Sequence, residues 1–494
     1  MPPHETTLYP RSAKIEVTEM TMDRHEPRGA MAALAPAMLL SSLGTSIANI
    51  ALPALAADFR APFGPVQWVV LAYLLAITVT IVGAGRAGDL FGRRRVLLLG
   101  LGGFVLTSVL CGLAPSLGLL IAARALQGIC GAALMAMTVA LVRESVPEAR
   151  TGAAMGLLGT MSAIGTALGP SLGGLLLAGP GWRAVFLVMV PVGLPALLLA
   201  WRRLPKDGAR PAAAAGFDAP GAVLLGLTLA AAALAATLDG AGWPAALAPV
   251  GLAAFLMVER RVPAPLVPPA VFRDRALTVG LVANVAVSAA IMATLLIGPF
   301  TLARGLGLGS AAVGAVLSIG PAISIVSGVP AGRLVDRLGA PAVVRLGLGA
   351  MAVGALALGL LPGIAGIPGY ILGIAVLTPG YQLFQAANNT AVVAGAGPAR
   401  RGVVAGLLSL SRNLGLIAGT AVLGTVFAAV AGDTASAAPG AILAGFRLAF
   451  GLASILLLAA LGLTLAGRRR PEPACPGGGD PLLLPVEENG IEKR

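Results

Sequence analysis

The sequence predicts an all-α membrane protein that crosses a bilayer about fourteen times. First, 57% of its 494 residues are hydrophobic and only 11% are charged, whereas a soluble domain carries about 25% charged residues. Second, uncharged runs recur along the chain, most of them approaching or exceeding the roughly 20 residues that a transmembrane helix needs. Third, the basic residues between these runs fall almost entirely on one predicted side of the membrane.

The uncharged runs divide into two sets of six with a pair between them. The first set lies near residues 31–56, 66–84, 96–114, 117–142, 152–178 and 184–201. The pair lies near 219–238 and 244–258, between basic links, and we interpret it as an insertion. The second set lies near 276–299, 308–331, 342–361, 369–394, 403–430 and 440–466. We divide the third and fourth runs of this set at Pro362-Gly363 and Pro368-Gly369, because Pro and Gly interrupt helices.

The placement of charge predicts the orientation. If the N-terminus is cytoplasmic, 28 of the 34 Lys and Arg residues lie on cytoplasmic segments, as the positive-inside rule requires. We therefore expect an inner-membrane protein with both tails, residues 1–30 and 468–494, in the cytoplasm. The same bias accounts for the net charge of +13, so we expect no nucleic-acid partner.

A short charged segment, residues 85–95, separates the second run from the third, and we interpret it as a loop. Its glycines allow a tight turn and the close approach of another helix. Asp89 can cap a helix or pair with a nearby arginine. Residues 332–339 repeat the spacing of Gly, Asp and Gly in the second set of runs, which indicates two related halves.

This spacing, G-x-x-x-D-x-x-G, resembles the signature loop of the major facilitator superfamily of secondary transporters. The resemblance covers about residues 31–467 and implies two six-helix bundles, residues 31–201 and 276–467. The linker, residues 202–275, would carry the two extra helices. The resemblance also implies a conformational latch at the cytoplasmic face, made of Gly85, Asp89, Gly92, Arg93, Gly332, Asp336, Arg337 and Gly339.

The fifth run contains Gly165, Gly169, Pro170, Gly173 and Gly174. Glycines four residues apart form a flat helix face that lets a neighbouring helix approach closely. Pro170 removes a backbone hydrogen bond and permits a bend. The pattern resembles the motif of antiporters in this superfamily, and we expect it to act as a pivot.

Within the first run, Leu43–Pro53 resembles the first-helix motif of the fourteen-helix drug:proton antiporter group, although that group usually has Asp where this chain has Gly44. Within this run Ser46 and Asn49 offer hydrogen bonds, either to a substrate or to a neighbouring helix. In the second run, Tyr73 suits the membrane interface or a cavity wall.

Further polar residues interrupt the apolar runs. A buried arginine costs about 2.5–3.5 kcal/mol on insertion scales, so Arg124 should face a water-filled cavity or hold fixed partners such as backbone carbonyls. In the second half, Gln382, Gln385 and Asn389 share one helical face. Our candidates for substrate contact or coupling are Ser46, Asn49, Arg124, Gln127, Gln382, Gln385, Asn389 and Arg412. Hydrogen bonding between helices is the alternative explanation for this polarity.

Acidic residues are missing from the predicted middle of every span. Many drug:proton antiporters use an embedded carboxylate to bind cations and to carry the proton, so this chain departs from the group. Arg124, Arg412 and Arg447 lie within spans without an acidic counter-ion. The positive charge of these arginines favours neutral or anionic cargo. Because no embedded carboxylate is present, the sequence does not identify the group that would carry the proton.

We therefore expect a monomeric secondary transporter in the lipid bilayer that exports small organic molecules by proton antiport. The alternative is a carrier of a neutral or anionic metabolite without proton coupling. A membrane-embedded enzyme or receptor would need a catalytic cluster or a soluble domain, and the sequence has neither. We expect no catalytic residue, no cofactor and no metal, since Cys111, Cys130 and Cys475 lack metal-binding spacing.

Overall fold

The computed structural model describes residues 27–205, 207, 219–237, 242–262, 274–394, 401–432, 434 and 436–466. Helices account for nearly all of these residues, and no strand occurs among them. Most of the two predicted tails and parts of the linker lie outside the described residues. Their predicted location and the predicted domain boundaries therefore stay predictions.

The helices of the first half follow the first six uncharged runs. A short helix, α2, precedes the second crossing, and α7 and α8 together form the sixth. Their bounds are α1 Pro27–Asp58, α2 Phe63–Val66, α3 Trp68–Phe91, α4 Arg93–Gly112, α5 Leu117–Ser145, α6 Glu148–Ala178, α7 Trp182–Leu187 and α8 Met189–Arg203.

The inserted pair and the second half also follow the predicted runs. Two short π-helical segments, Thr301–Gly305 and Gly419–Leu423, extend α11 and join α14 to α15. The helix bounds are α9 Ala219–Thr237, α10 Gly242–Glu259, α11 Arg275–Phe300, α12 Ser310–Leu338, α13 Ala340–Ala394, α14 Arg401–Ala418, α15 Gly424–Ala431 and α16 Pro439–Ala466.

Helix α13 runs over 55 residues but contains a sharp bend at Gly366, where φ is +59°. Glycine adopts this left-handed conformation without the steric penalty of a Cβ. The predicted break in this stretch is confirmed. It falls on the single glycine between the two Pro-Gly pairs rather than on either pair.

Eleven helices in the described part of the chain are long and apolar enough to cross a membrane. One of them is the 340–392 stretch, which the bend at Gly366 divides into two segments. Two shorter apolar helices, Val223–Ala235 and Leu247–Glu259, occupy the predicted insertion. The all-α membrane architecture is confirmed, while the count of fourteen stays a prediction because it requires both short helices to cross completely.

The main pairs of long helices that join the two halves are α1 with α11, α3 with α14, and α6 with α12, and the short helix α2 also contacts α15. In each half the first helix therefore meets its counterpart, and the second helix meets the fifth of the other half. Two bundles related by an approximate two-fold axis produce this exchange of positions. The repeated sequence pattern thus corresponds to a repeat in packing.

The inserted helices lie over one seam between the halves. Helix α9 packs along α3 and also touches the π-helical segment Gly419–Leu423, while α10 packs on α9. The indole Nε1 of Trp68 donates a hydrogen bond to Thr237 Oγ1 at 3.0 Å. The pair therefore covers the α3–α14 side, whereas α6 and α12 are not among its main packing partners.

The expectation that the charged segment at residues 85–95 forms a loop is wrong. Helix α3 continues to Phe91 and α4 begins at Arg93, so Gly92 alone separates them. Gly92 has φ +98°, and Gly339 has φ +78° between α12 and α13. The predicted glycine-dependent tight turn is confirmed at these two positions. We call the end of the molecule that carries Gly92 and Gly339 the turn end, and the opposite end the far end.

Replacing Gly92 with Ala should destabilise the protein by about 1–2 kcal/mol or more, because an L-residue resists this left-handed conformation. The new Cβ would also overlap the carboxylate of Asp207. Thermal unfolding of the purified protein in detergent measures the loss. Gly85→Ala is the matched control, since no atom lies within 4 Å of the added Cβ and Ala favours helices. Equal melting temperatures for the two variants would contradict strain at Gly92.

Candidate functional site

An aromatic cluster joins the two halves at the far end. The ring centroid of Phe63 lies 5.0 Å from that of Phe300 and 5.3 Å from that of Phe427. All three side chains are fully buried. Because Phe63 belongs to the first half and the other two to the second, the cluster closes the seam with apolar surface. No sequence pattern singled these residues out.

Helices α6 and α12 form a second contact between the halves near the same end. A Cβ added to Gly174 would lie 2.5 Å from the Cα of Gly314. One added to Gly314 would lie 3.1 Å from the carbonyl oxygen of Pro170. At these two glycines backbone therefore meets backbone, with no side chain between the two helices. The close approach expected from the glycine motif occurs at Gly174, across the seam between the halves.

The remaining glycines of the motif face α1 inside the first half. An added Cβ would lie 2.6 Å from the carbonyl oxygen of Leu39 at Gly165, and it would overlap the Ser46 side chain at Gly169. Ser46 Oγ also donates a hydrogen bond to the Gly165 carbonyl at 3.2 Å. Ser46, a candidate for substrate contact, is thus a buried packing partner of the motif. Gly173 packs on α1 in the same way.

This close contact is not repeated among the described residues nearer the turn end. An added Cβ would meet no atom within 4 Å at Gly159 of α6 or at Gly332 of α12. On the same stretch of α12, Ile325, Val326 and Val329 are exposed. The closest backbone contact described between α6 and α12 therefore lies near the far end.

Charged residues at the turn end pair within the first half. Arg93 donates a hydrogen bond from Nη2 to Asp89 Oδ1 at 2.9 Å, and one from Nη1 to Glu144 Oε1 at 2.8 Å. These residues lie on α4, α3 and α5. In the second half Asp336 and Arg337 are exposed, and no ion pair to either is found in the described part of the chain. The expected latch residues are therefore paired in one half only.

The first turn of α4 is capped by a residue from the linker. Backbone N–H groups of Arg94 and Arg95 donate to the two carboxylate oxygens of Asp207 at 3.0 and 3.1 Å. The first N–H groups of a helix lack intrahelical partners, and a carboxylate there also interacts favourably with the helix dipole. Asp89, for which the sequence also allowed helix capping, pairs with Arg93 instead. The feature of the sequence that pointed to Asp207 is its position as the one acidic residue among the basic residues 202–210.

Arg124 is fully buried inside the first half. Its guanidinium donates to the carbonyl oxygens of Val69 and Gly44, each at 2.9 Å, and to Gln127 Oε1 at 2.6 Å. Gln127 in turn donates from Nε2 to Ser108 Oγ at 2.8 Å. Of the two environments predicted for Arg124, a water-filled cavity or fixed partners such as backbone carbonyls, the structure therefore has the second. A substrate contact by Arg124 or Gln127 stays a prediction, and this geometry lends it no support.

Tyr73 lies directly against this arginine. The Arg124 guanidinium carbon lies 4.1 Å from the Tyr73 ring centroid, and Tyr73 Oη donates to the Ser41 carbonyl at 2.8 Å. A Cβ on Gly44 would lie 2.7 Å from the same Tyr73 oxygen. The expectation that Tyr73 lines the interface or a cavity is wrong, because its ring is fully buried as a support for Arg124.

In the second half, the polar face of α13 turns partly toward α12. Gln382 Nε2 donates to the Ser324 carbonyl at 3.0 Å. Gln385 Nε2 donates to Tyr381 Oη at 3.1 Å, while Gln385 Oε1 is buried without a described partner. Asn389 is exposed. Only part of this polar face is therefore used for packing.

Arg412 and Asn49 also keep unused hydrogen-bonding groups. Arg412 is exposed and has no described partner. It lies about 17 Å along α14 from Arg401, which places it near the middle of a membrane core about 30 Å thick. Asn49 Nδ2 donates to the carbonyls of Thr45 and Ser46, each at 3.1 Å, and its Oδ1 is buried without a described partner. Asn49, Gln385, Asn389 and Arg412 are therefore the candidates that keep polar groups without a described partner.

Comparison with known proteins agrees with this architecture. The Major Facilitator Superfamily profile matches residues 34–420. The chain belongs to this family. It is 33% identical over 409 residues to the multidrug efflux pump LfrA of Mycolicibacterium smegmatis, covering 81% of each chain. It is also 31% identical over 396 residues to the riboflavin transporter RibZ of Clostridioides difficile, covering 79% of this chain and 86% of the relative.

Solved structures of the Major Facilitator Superfamily share the fold. A bacterial homologue of the human lysosomal transporter Spinster, inward-facing and unoccupied, matches with a TM-score of 0.63 at 17% identity. The match covers 89% of this chain and 96% of that structure. Membership in the superfamily confirms the resemblance and the fold predicted from the sequence. The protein is a multi-pass membrane transporter of small molecules, and the enzyme or receptor interpretation is wrong.

Replacing Arg124 with Gln should destabilise the protein by about 3 kcal/mol or more, because hydrogen bonds to a charged group contribute about 1.5–3 kcal/mol each. Thermal unfolding in detergent measures this change. Arg412→Gln is the matched control, and its melting temperature should equal that of the wild type because Arg412 is exposed. An Arg124→Gln variant as stable as Arg412→Gln would show that the buried network is dispensable.

Replacing Gly174 with Leu should force α6 away from α12, since even a Cβ there meets the Gly314 backbone at 2.5 Å. We expect the distance between spin labels on the far ends of α6 and α12 to increase. Gly159→Leu on the same helix has open space and should leave that distance unchanged. If the distance stays the same in both variants, the Gly174 contact does not hold the halves together.

Proposed function

We propose that this protein is a secondary active transporter that exports small organic molecules by proton antiport, through rocker-type alternating access. The observation that carries the proposal is the unequal contact between the halves. They meet near the far end through Gly174, Gly314 and the Phe63 cluster, while the ion pairs at the turn end stay within the first half. A chamber between the halves would then open toward the turn end, and transport would require the opposite state as well.

We further propose that the turn end faces the cytoplasm and that the protein resides in the inner membrane with both termini inside. Basic residues are concentrated at the turn end, as in Arg93, Arg94 and Arg95 of α4. Such residues are retained on the cytoplasmic side during insertion. Because one chain supplies both halves of the chamber, the proposed transporting unit is the monomer.

The proposed latch forms when the turn end closes. The φ values of +98° at Gly92 and +78° at Gly339 give both halves the same tight turn, with an Asp three residues before it. Asp336 and Arg337 are exposed and would be available to the Asp89–Arg93 pair when the halves approach. The latch would thus replace contacts inside the first half with contacts between the halves.

The proposed substrates are neutral or anionic. Arg412 is exposed at mid-span, and Asn49 and Gln385 each have a buried oxygen without a described partner. A cationic substrate would need a compensating carboxylate, and none lies at the predicted middle of a span. The second candidate function, a metabolite carrier without proton coupling, is favoured by this same lack of an embedded carboxylate. The relatives include a transporter named for riboflavin as well as a multidrug efflux pump.

Proteoliposomes containing the purified protein test the proposal. Ethidium, riboflavin and carboxyfluorescein serve as cationic, neutral and anionic probes, with and without an imposed pH gradient. We expect the gradient to accelerate transport of the neutral or anionic probe, and an internal pH dye to report proton movement in the opposite direction. Transport that ignores the gradient would favour the uncoupled carrier.

The Asp89→Ala variant tests the latch in the same vesicles. We expect transport to slow by roughly tenfold, the equivalent of about 1.4 kcal/mol, with membrane insertion intact. Normal transport by this variant would remove Asp89 from the mechanism, whichever probe is carried.

A further inference from the structure

A groove on the second half contains an intramembrane arginine that the proposed transport mechanism does not use. It has a volume of about 650 Å³ and lies between the first segment of α13, α15 and α16. None of the first-half helices is a main packing partner of α13 or α16. The groove therefore lies on the outer surface of the second half, away from the α6–α12 seam. Its walls include Leu356, Leu360, Val426, Leu448, Leu452 and Ile455, and its charged residue is Arg447.

Small residues create the space in this groove. An added Cβ on Gly451 would meet no atom within 4 Å. One on Gly359 would lie 3.2 Å from the Arg447 carbonyl oxygen, so the two helices approach closely there. The opening is therefore a largely apolar groove beside a close helix contact, and its volume of about 650 Å³ can accommodate a hydrocarbon chain.

Arg447 lies on the far-end side of the groove, about 12 Å along α16 from its first residue, Pro439. Helix α16 has 28 residues and is about 42 Å long, so a membrane core of about 30 Å centred on it begins about 6 Å after Pro439. The Arg447 backbone therefore lies about 6 Å below the far-end edge of the core. The other walls agree, because Leu360 shortly precedes the bend at Gly366 and Val426 lies in the last helix of its crossing. A long arginine side chain at this depth reaches the headgroup region while its methylene groups stay in apolar surroundings.

The charge of Arg447 has no counterpart in the described structure. Its side chain is exposed, and no carboxylate lines the groove. Arg183, also at the far end, differs because it stacks on Trp182 at 4.3 Å and lies 3.8 Å from Asp58. An arginine facing hydrocarbon without such partners requires an anion from its surroundings. The planar guanidinium matches the paired oxygens of a phosphate.

We propose that this groove binds an anionic phospholipid from the far-end leaflet. Arg447 holds the phosphate, and one acyl chain lies along the apolar wall over Gly451. The combination of an unmatched cation at headgroup reach and an apolar channel below it fits a lipid better than a soluble anion, which has no apolar part. The site is independent of the direction of transport and of proton coupling.

Native mass spectrometry of the full-length protein in mild detergent, with added phosphatidylglycerol, tests this site. We expect Arg447→Gln to retain roughly fivefold less phosphatidylglycerol than the wild type. Arg304→Gln is the matched control, since Arg304 is an exposed far-end arginine outside the groove, and it should retain the wild-type amount.

A second pair of variants tests the acyl-chain channel while leaving the charge in place. Gly451→Leu fills the groove and should reduce lipid retention by a similar factor. Gly462→Leu, on the same helix with equally open space, should not. Wild-type retention in Arg447→Gln or Gly451→Leu would overturn the proposal. So would equal retention of phosphatidylcholine and phosphatidylglycerol by the wild type, since that outcome would show no preference for an anionic headgroup.

Discussion

The arrangement of the two halves depends on a contact between bare backbones. At Gly174 and Gly314 no side chain separates α6 from α12, so the helices approach more closely than larger residues would permit. Hydrophobic burial provides little drive for association between helices in a bilayer, and close van der Waals packing takes its place. Backbone therefore meets backbone at these two glycines. The Phe63 cluster adds apolar closure beside it without any directional bond.

Three arginines within apolar helices show how differently a charge inside a membrane span is accommodated. Arg124 satisfies its guanidinium with two carbonyls, a glutamine and an aromatic ring, entirely inside the first half. Arg412 and Arg447 are exposed, and no described residue pairs with the charge of either. From the sequence, Arg124 could serve coupling or substrate contact or could pack onto backbone carbonyls, and its contacts match the second alternative. The position of an arginine within a predicted span therefore does not reveal its role until the groups that it contacts are known.

Much of the fold could be predicted because a membrane-spanning helix needs a long apolar segment, and such segments are visible in the sequence. Apolar runs approaching or exceeding about 20 residues predict where the helices lie with little help from tertiary contacts, and one-sided basic charge predicts their direction across the membrane. The tight turns at Gly92 and Gly339 were predictable for a similar reason, because only glycine adopts their conformation readily. The length of the charged loop was not, since hydropathy marks where a helix leaves the membrane rather than where it ends.

The candidate site was less predictable because its parts depend on contacts distant in sequence. Asp207 caps α4 from the linker, and Phe63 meets Phe300 and Phe427 only after both halves have assembled. Neither contact leaves a local pattern. The polar residues of α1 and α13 were easy to find, but the sequence did not distinguish those that bind a neighbouring helix, such as Ser46, from those with a spare oxygen, such as Asn49.

The position of α9 makes the two seams of the transporter unequal. At α6 and α12 the halves meet through glycine, whereas on the other side α9 packs along α3 and touches residues 419–423 of the second half. If the halves rock as proposed, α9 must slide over one of its neighbours, because it contacts both halves. The motion would then be more hindered beside α9 than at α6 and α12, so the two sides of an internally symmetric molecule would not be equivalent.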